Sequence, residues 1–374
     1  MIRNFSIHQS ACWVTVRSPL GKELNITGLA RLTQPTSFHY GNRGQQGFSL
    51  VELMVAMVLG LFLMGGVIQF SLANKVTYRL QEGLGRIQET GRYALHFIGQ
   101  SARGAGYFGC AGLELVTPNV IAKNPPADMS SLTTDTPISG LENVATGNAY
   151  GAVAGSDVLI LRGLAEEGIG LTGNTTPVNA NIQVQVTKGN VTFEADDLIL
   201  IADCAGADLF RATSVSKSGT KTTIVHASSA NNTNNLSRAY GADATVAKPF
   251  INHFYVKDTG RNNSAGQPIL GLFRRDMDGV DEELAEGVSD FQVLYGVDRD
   301  ANHEADIYQN AASVTGGGDW DHVVSVRISL LLDSIEEVLQ APAAYDFQGV
   351  SQTPADRKLR REFTGLFTLR NRAL

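Results

Sequence analysis

Glu52 is the one charged residue in Phe48–Ala73, FSLVELMVAMVLGLFLMGGVIQFSLA, a run of 26 residues. A carboxylate inside so apolar a segment is costly in a bilayer and marks a functional position. Residues 44–52 read GQQGFSLVE, which makes Phe48 the first residue after Gly47 and Glu52 the fifth. A second group, Asp298, Asp300, Asn302, Glu304 and Asp306, takes every second position of DRDANHEAD. Oxygen ligands at alternate loop positions suit calcium; the alternative is a solvated acidic hairpin loop. Asp276, Asp278, Asp281, Glu282 and Glu283 form another acidic patch, which reads as a solubilised turn. Of the three cysteines, Cys12 lies in the N-terminal 47 residues, and Cys110 and Cys204 have no Cys or His at zinc-ligand spacing. P-loop, G-x-S-x-G and H-E-x-x-H signatures are missing and the seven His are scattered. Nothing here calls for an enzyme or a required cofactor, calcium being the one candidate ion.

The elements that must position these residues follow from composition and periodicity. The chain has 374 residues, 43% of them hydrophobic and 18% charged, which excludes a disordered chain and allows a sizeable core. A net charge of −7 excludes a broadly basic nucleic-acid binder. Residues 1–47 carry five basic residues against one acid, a basic leader on an acidic body. Phe48–Ala73 is long enough to cross a bilayer and too long for the apolar core of a secretory signal. Beyond it, Val76, Leu80, Leu84, Ile87, Leu95, Ile98 and Ala102 recur at mostly three- and four-residue steps, with a longer step past Gly91. No proline interrupts Phe48 to Thr117, so one helix over 48–103 is expected, roughly 80 Å long at 1.5 Å per residue. Gly60, Gly65 and Gly66 weaken it by about 1 kcal/mol each, either to let it loosen or to let helices pack closely.

From 104 onward strands are expected at 157–162, 182–187, 198–203, 254–257, 270–274, 291–295, 323–332 and 363–369, with a hairpin around 217–220. Residues 228–242 and 310–318 read as loops and 333–339 as a short helix. The predicted fold is α+β: a long N-terminal helix, membrane-spanning then amphipathic, packed on a β-rich C-terminal globular domain. The expected divisions are a leader (1–47), a transmembrane and assembly helix (48–73), its amphipathic continuation (74–103) and the body (104–374).

The junction GQQGFSLVE resembles the class III signal of type IV pilins and type II secretion pseudopilins. That resemblance implies cleavage by prepilin peptidase between Gly47 and Phe48, N-methylation of Phe48, and Glu52 as the assembly carboxylate. Glu52 would pair with the amine of a neighbouring subunit. Removing one partner of a buried pair costs about 3–5 kcal/mol. The alternative is a Glu52 that only reaches toward the headgroups. Further segments, TGRYALHFIGQSARGAGYFGC (90–110), LILIADCAGADLFRATSV (198–215), AEGVSDFQVLYGVDRDA (285–301), VVSVRISLLL (323–332) and LRNR (369–372), resemble minor pilins of the PilW type. The leader of 47 residues is longer than is usual for such proteins, which fits a long leader or a translation start placed upstream of the true one.

The resemblance implies a minor pilin that primes and assembles the type IV pilus with other minor pilins and the major pilin. It would pass once through the inner membrane, with its body in the periplasm, and end at the pilus tip. Alternatives are a J-type pseudopilin of type II secretion, or a tip adhesin or DNA-binding module on a pilin anchor. In an oxidising periplasm Cys110 and Cys204 would pair, the alternative being two buried free thiols. The Asp298 loop is similar to the start of an EF-hand, but has His303 at the turn glycine and Gln309 at the final glutamate. Arg357, Lys358, Arg360, Arg361, Arg370 and Arg372 could contact DNA, or flank the final strand and offset the acidic body.

Overall fold

Helix α1 spans Leu50–Gly104 without a break in the computed structural model, which describes residues 47–109, 117–126, 129, 137–164, 168–173, 175–185 and 192–372. Every residue from Leu50 to Lys75 is exposed. From Ile87 the pattern turns one-sided, and Ile87, Gly91, Ala94, Ile98, Gly99 and Ala102 are buried at helical spacing. The chain divides within this helix into two units, Met1–Met64 and Gly65–Leu374.

The strands that follow are β1 (Asn119–Val120), β2 (Ile138–Leu141), β3 (Val158–Leu164), β4 (Ile169–Gly170) and β5 (Ile182–Gln185). Next come β6 (Leu198–Asp203), β7 (Gly206–Arg211), β8 (Ser214–Ser218), β9 (Lys221–Val225) and β10 (Thr245–Ala247). The long strands β11 (Pro249–Asn262), β12 (Pro268–Arg275), β13 (Asp281–Glu286) and β14 (Val288–Val297) lead to β15 (Ile307–Gln309). Helix α2 (Ala311–Gly317) and a 3-10 turn precede β16 (Val323–Asp333), β17 (Tyr345–Phe347), β18 (Val350–Gln352) and β19 (Arg360–Thr368).

Two antiparallel sheets, ordered β13-β12-β11-β3-β2 and β15-β14-β16-β19, share one core with α1. Into it point Leu159 and Leu161 of β3, Phe254 and Val256 of β11, and Phe291 and Val293 of β14. The alternate residues Val158 and Ile160 enter a second core with Leu198 and Leu200 of β6, in the sheet β1-β7-β6-β10-β4. Ile199 and Ile201 point the other way, into a third core with the sheet β5-β9-β8. Strands β3 and β6 are apolar at nearly every position because both of their faces are covered.

Three expectations need correction. Residues 311–317 are helical, not loop: Asn310 Oδ1 accepts from Ser313 N at 2.9 Å and Gly318 closes the end at φ 71°. Residues 333–339 form no helix. Asp333 ends β16, Ser334 N donates to Leu359 O, and the amides of Val338 and Leu339 donate to Arg357 O, so tertiary partners replace the i−4 carbonyls. The acidic patch is more than a solubilised turn: Asp281–Glu286 is strand β13, whose acids meet cations of β11 and β12.

The last strand grips the helix. A Cβ placed on Gly91 would lie 2.7 Å from the Phe363 ring, and one on Gly99 would collide with the Phe367 ring. Gly85 faces open space. Gly99→Ala should therefore destabilise the detergent-extracted protein by about 1–3 kcal/mol through overpacking. Gly85→Ala should stabilise it by up to about 1 kcal/mol through helix propensity. Denaturant unfolding of the two variants beside the parent reads both signs.

Candidate functional site

Gly47, Phe48 and Ser49 form an exposed extended segment directly before α1, with Phe48 82% accessible. Among the described residues, nothing beyond its chain neighbours comes within 4 Å of a Cβ built on Gly47. Gly47 and Phe48 are thus exposed among the described residues, and Glu52 stands exposed in the first turn beyond them. The helix is long and apolar enough to cross a membrane, its most apolar 18-residue window having mean hydropathy 2.3 and no buried share. Ser49 is not singled out by the cleavage motif, yet its Oγ accepts from Glu52 N at 3.2 Å. Its sequence signal is the Ser-x-x-Glu spacing. Residues 1–46, nearly all of the expected leader, lie outside the described residues.

Cys204 occupies the exposed turn between β6 and β7, which Asp203 Oδ1 shapes by accepting from the amides of Ala205 and Gly206, both at 2.8 Å. Cys204 is disulfide-bonded. Its expected partner Cys110 lies outside the described residues, as does Cys12. The residue before Cys110, Gly109, has φ 81°, and a Cβ built there would meet Ala202 Cβ at 3.4 Å.

Asp298 is buried at the end of β14; Asp300 and Asp306 are exposed, and ligand atoms of all three lie within 4.8 Å of one another. Glu304 is outside that group, and Asn302 Nδ2 donates to Asp300 Oδ2 at 3.2 Å. Asp298 accepts from the amides of Ala301 and His303, both at 2.8 Å, and of Asp300 at 3.2 Å. Burial works to raise its carboxyl, but these amides outweigh it and hold the group below the usual carboxylate range. His303, at φ 68°, makes the left-handed turn that a glycine would make more easily. The flanking elements are strands, since Gln309 in β15 pairs with Tyr295 in β14. The likeness to an EF-hand stops at the loop.

The basic C-terminal cluster is partly engaged within the body. Arg357 pairs with Glu337, Arg360 with Asp356 and Asp333, and Arg372 donates to the carbonyl of Asp321. These contacts favour a structural role over a DNA-binding face.

Two comparisons with known proteins bear on the chain. Residues 253–371 match the family described as type IV pilus-assembly protein W, and residues 42–68 match the prokaryotic N-terminal methylation motif. No curated protein and no solved structure matches it. The first match runs from β11 to just beyond β19 and so takes in most of the two sheets that hold α1.

One buried carboxylate joins those sheets. Asp157, 2% exposed, accepts from Asn143 N and Val293 N, each at 2.8 Å, while its own amide donates to Phe291 O. Burial pushes it up to about 7 from an ordinary 3.8, against the pull of those two amides and with the help of Glu142 and Asp290. The folded state therefore keeps this proton where the unfolded state has lost it. Stability should fall as pH rises from about 4 to about 7, by a few kcal/mol in the limit. Denaturant unfolding across that range should show a fall in the parent that is flattened in Asp157→Asn.

Proposed function

We propose that this chain, a type IV minor pilin by its prepilin-type methylation motif and its PilW domain, is cut between Gly47 and Phe48 by prepilin peptidase and then helps prime the pilus. The observation that carries this reading is the coincidence of an exposed Gly47–Phe48 bond, a carboxylate at Glu52 and a membrane-length apolar helix, on a chain whose body matches a pilus-assembly family. Phe48 would become the methylated N-terminus. The amine of a neighbouring subunit, another minor pilin or the major pilin, would pair with Glu52. In the apolar setting of packed helices each group lacks water, so each gains from the other what solvent would have supplied. The body would lie in the periplasm before assembly and at the pilus tip after it. Oxidising conditions there suit a Cys110–Cys204 bridge, in keeping with the bonded state of Cys204 and the packing of Gly109 beside Ala202.

The test is the N-terminal residue and mass of the protein extracted from membranes, with and without reductant. We expect a chain beginning at Phe48 with one added methyl, gaining two hydrogens on reduction. An uncut chain would make the apolar run an ordinary anchor, and a cut near Ala73 would make it a secretory signal. Either result ends the pilin reading.

The Asp298 loop enters the proposal as a calcium site. Asp298, Asp300 and Asp306 would supply carboxylates, with Asn302 and Glu304 as further oxygen donors. Gln309, the twelfth residue counted from Asp298, buries its Oε1 with no hydrogen-bond partner among the described residues. A bound cation would offset the repulsion among three close carboxylates. Millimolar calcium should raise Tm by about 2–4 °C in the parent and leave Asp300→Asn unmoved. A parent Tm indifferent to calcium would remove the site.

A further inference from the structure

We infer that Ser49 is a positioning residue for Glu52: its hydroxyl caps the first turn of α1 and fixes where the assembly carboxylate stands in the processed chain. The inference rests on the processing and pairing proposed above. Helix α1 begins at Leu50, Leu53 N donates to Ser49 O at 3.1 Å, and Glu52 N donates to Ser49 Oγ at 3.2 Å. Ser49 is therefore the N-cap and Glu52 the third helical residue, at Ser-x-x-Glu spacing, with the serine half of a capping box formed.

Two physical consequences follow. The first amides of a helix have no partner within it. In lipid an unsatisfied amide costs several kcal/mol, so a hydroxyl that takes one of them matters more here than on a soluble helix. An acidic residue in the first turn also meets the positive end of the helix dipole. Both effects favour a formed first turn with Glu52 held on it.

Cleavage between Gly47 and Phe48 leaves this device whole. Ser49 becomes the second residue of the processed chain, so the helix start does not depend on the leader. The new amine, on Phe48, lies one residue outside the cap, and the carboxylate lies one turn inside it. A neighbour would then meet a carboxylate already in place. Without the cap the first turn frays, and its ordering has to accompany docking, which weakens the pairing.

The experiment compares Ser49→Thr, which keeps the hydroxyl, with Ser49→Val, of similar shape without it, and with Ser49→Ala. Each full chain is expressed in cells, the share recovered in sheared pili is measured, and the N-terminal mass of every variant is recorded. Glu52→Ala serves as reference. We expect Thr to assemble like the parent, and Val and Ala to fall about fivefold, the effect of losing one cap, with cleavage and methylation intact. Normal assembly of Val and Ala beside a failing Glu52→Ala would overturn the role of Ser49 alone. Val and Ala left uncleaved would overturn it too, since the hydroxyl would then act on the peptidase. Normal assembly of Glu52→Ala itself would bring down the charge-pairing reading as well.

Discussion

The packing of Phe363 and Phe367 against the bare backbone of Gly91 and Gly99 is the contact on which the rest of the structure depends. Strand β19 pairs with β16, and β16 with β14, so these two rings tie the helix to a whole sheet. Asn371 adds a hydrogen bond from its Nδ2 to Ala105 O at 3.0 Å, and the Arg103 guanidinium lies 5.6 Å from the Phe367 ring centroid. An aromatic side chain brings about 150–250 Å² to such a contact, and glycine lets that area meet backbone directly. Because the grip joins the helix to the end of the body, it cannot form until the final strand is made. Contacts of such separation slow folding, and until they form the part of the α1 stripe around Gly91 and Gly99 lacks its aromatic cover.

Buried and half-buried carboxylates tie neighbouring segments together. Asp157 ties β3 to β14. Asp208, fully buried, accepts from Asn119 Nδ2, from Ser237 Oγ at 2.7 Å and from Tyr240 OH at 2.7 Å, which brings three segments together. Asp281 accepts from Tyr255 OH, from Arg275 and from Lys257 Nζ at 2.7 Å. The Arg275 guanidinium in particular holds Asp281 far below the usual carboxylate range. Burial, reinforced by Asp208, lifts Tyr240 well above the usual phenol range. Perturbed groups of this kind often mark active sites, but here each has its structural partners in hand. A carboxylate can accept from several amides, hydroxyls or cations at once, which suits it to such junctions.

What was legible in the sequence followed the strength of the local signal. The helix could be read because apolar residues and the lack of proline agreed over fifty positions, and the 198–203 strand because its apolar run was bounded by polar turns. The Asp281–Glu286 strand could not, since its acidic residues meet cations on neighbouring strands and pattern alone cannot see such partners. Residues 310–318 looked like loop by their glycines, although Asn310 and Gly318 are the residues that start and stop a helix. Asp333–Leu339 had helical composition, but tertiary partners at Arg357 and Leu359 claimed its backbone. Among the site residues, Glu52 stood out because charge is rare in an apolar run. Asp157 did not, because nothing in its neighbours foretells which amides it will meet.

The glycines of α1 separate two kinds of requirement on one helix. At Gly91 and Gly99 the cost of about 1 kcal/mol apiece is offset inside the chain by the rings that lie on them. At Gly60, Gly65 and Gly66 a Cβ would meet nothing within 4 Å, so no contact among the described residues offsets the same cost. Either the cost stands and lets the helix loosen, or its offset comes from what surrounds the apolar half of the helix. Lipid tails gain little from a missing Cβ, since they fill space around alanine as readily. Another helix gains much, because small residues let two backbones approach to van der Waals contact. In the proposed assembly the glycines before Ala73 would answer to neighbouring helices, as Gly91 and Gly99 answer to the body.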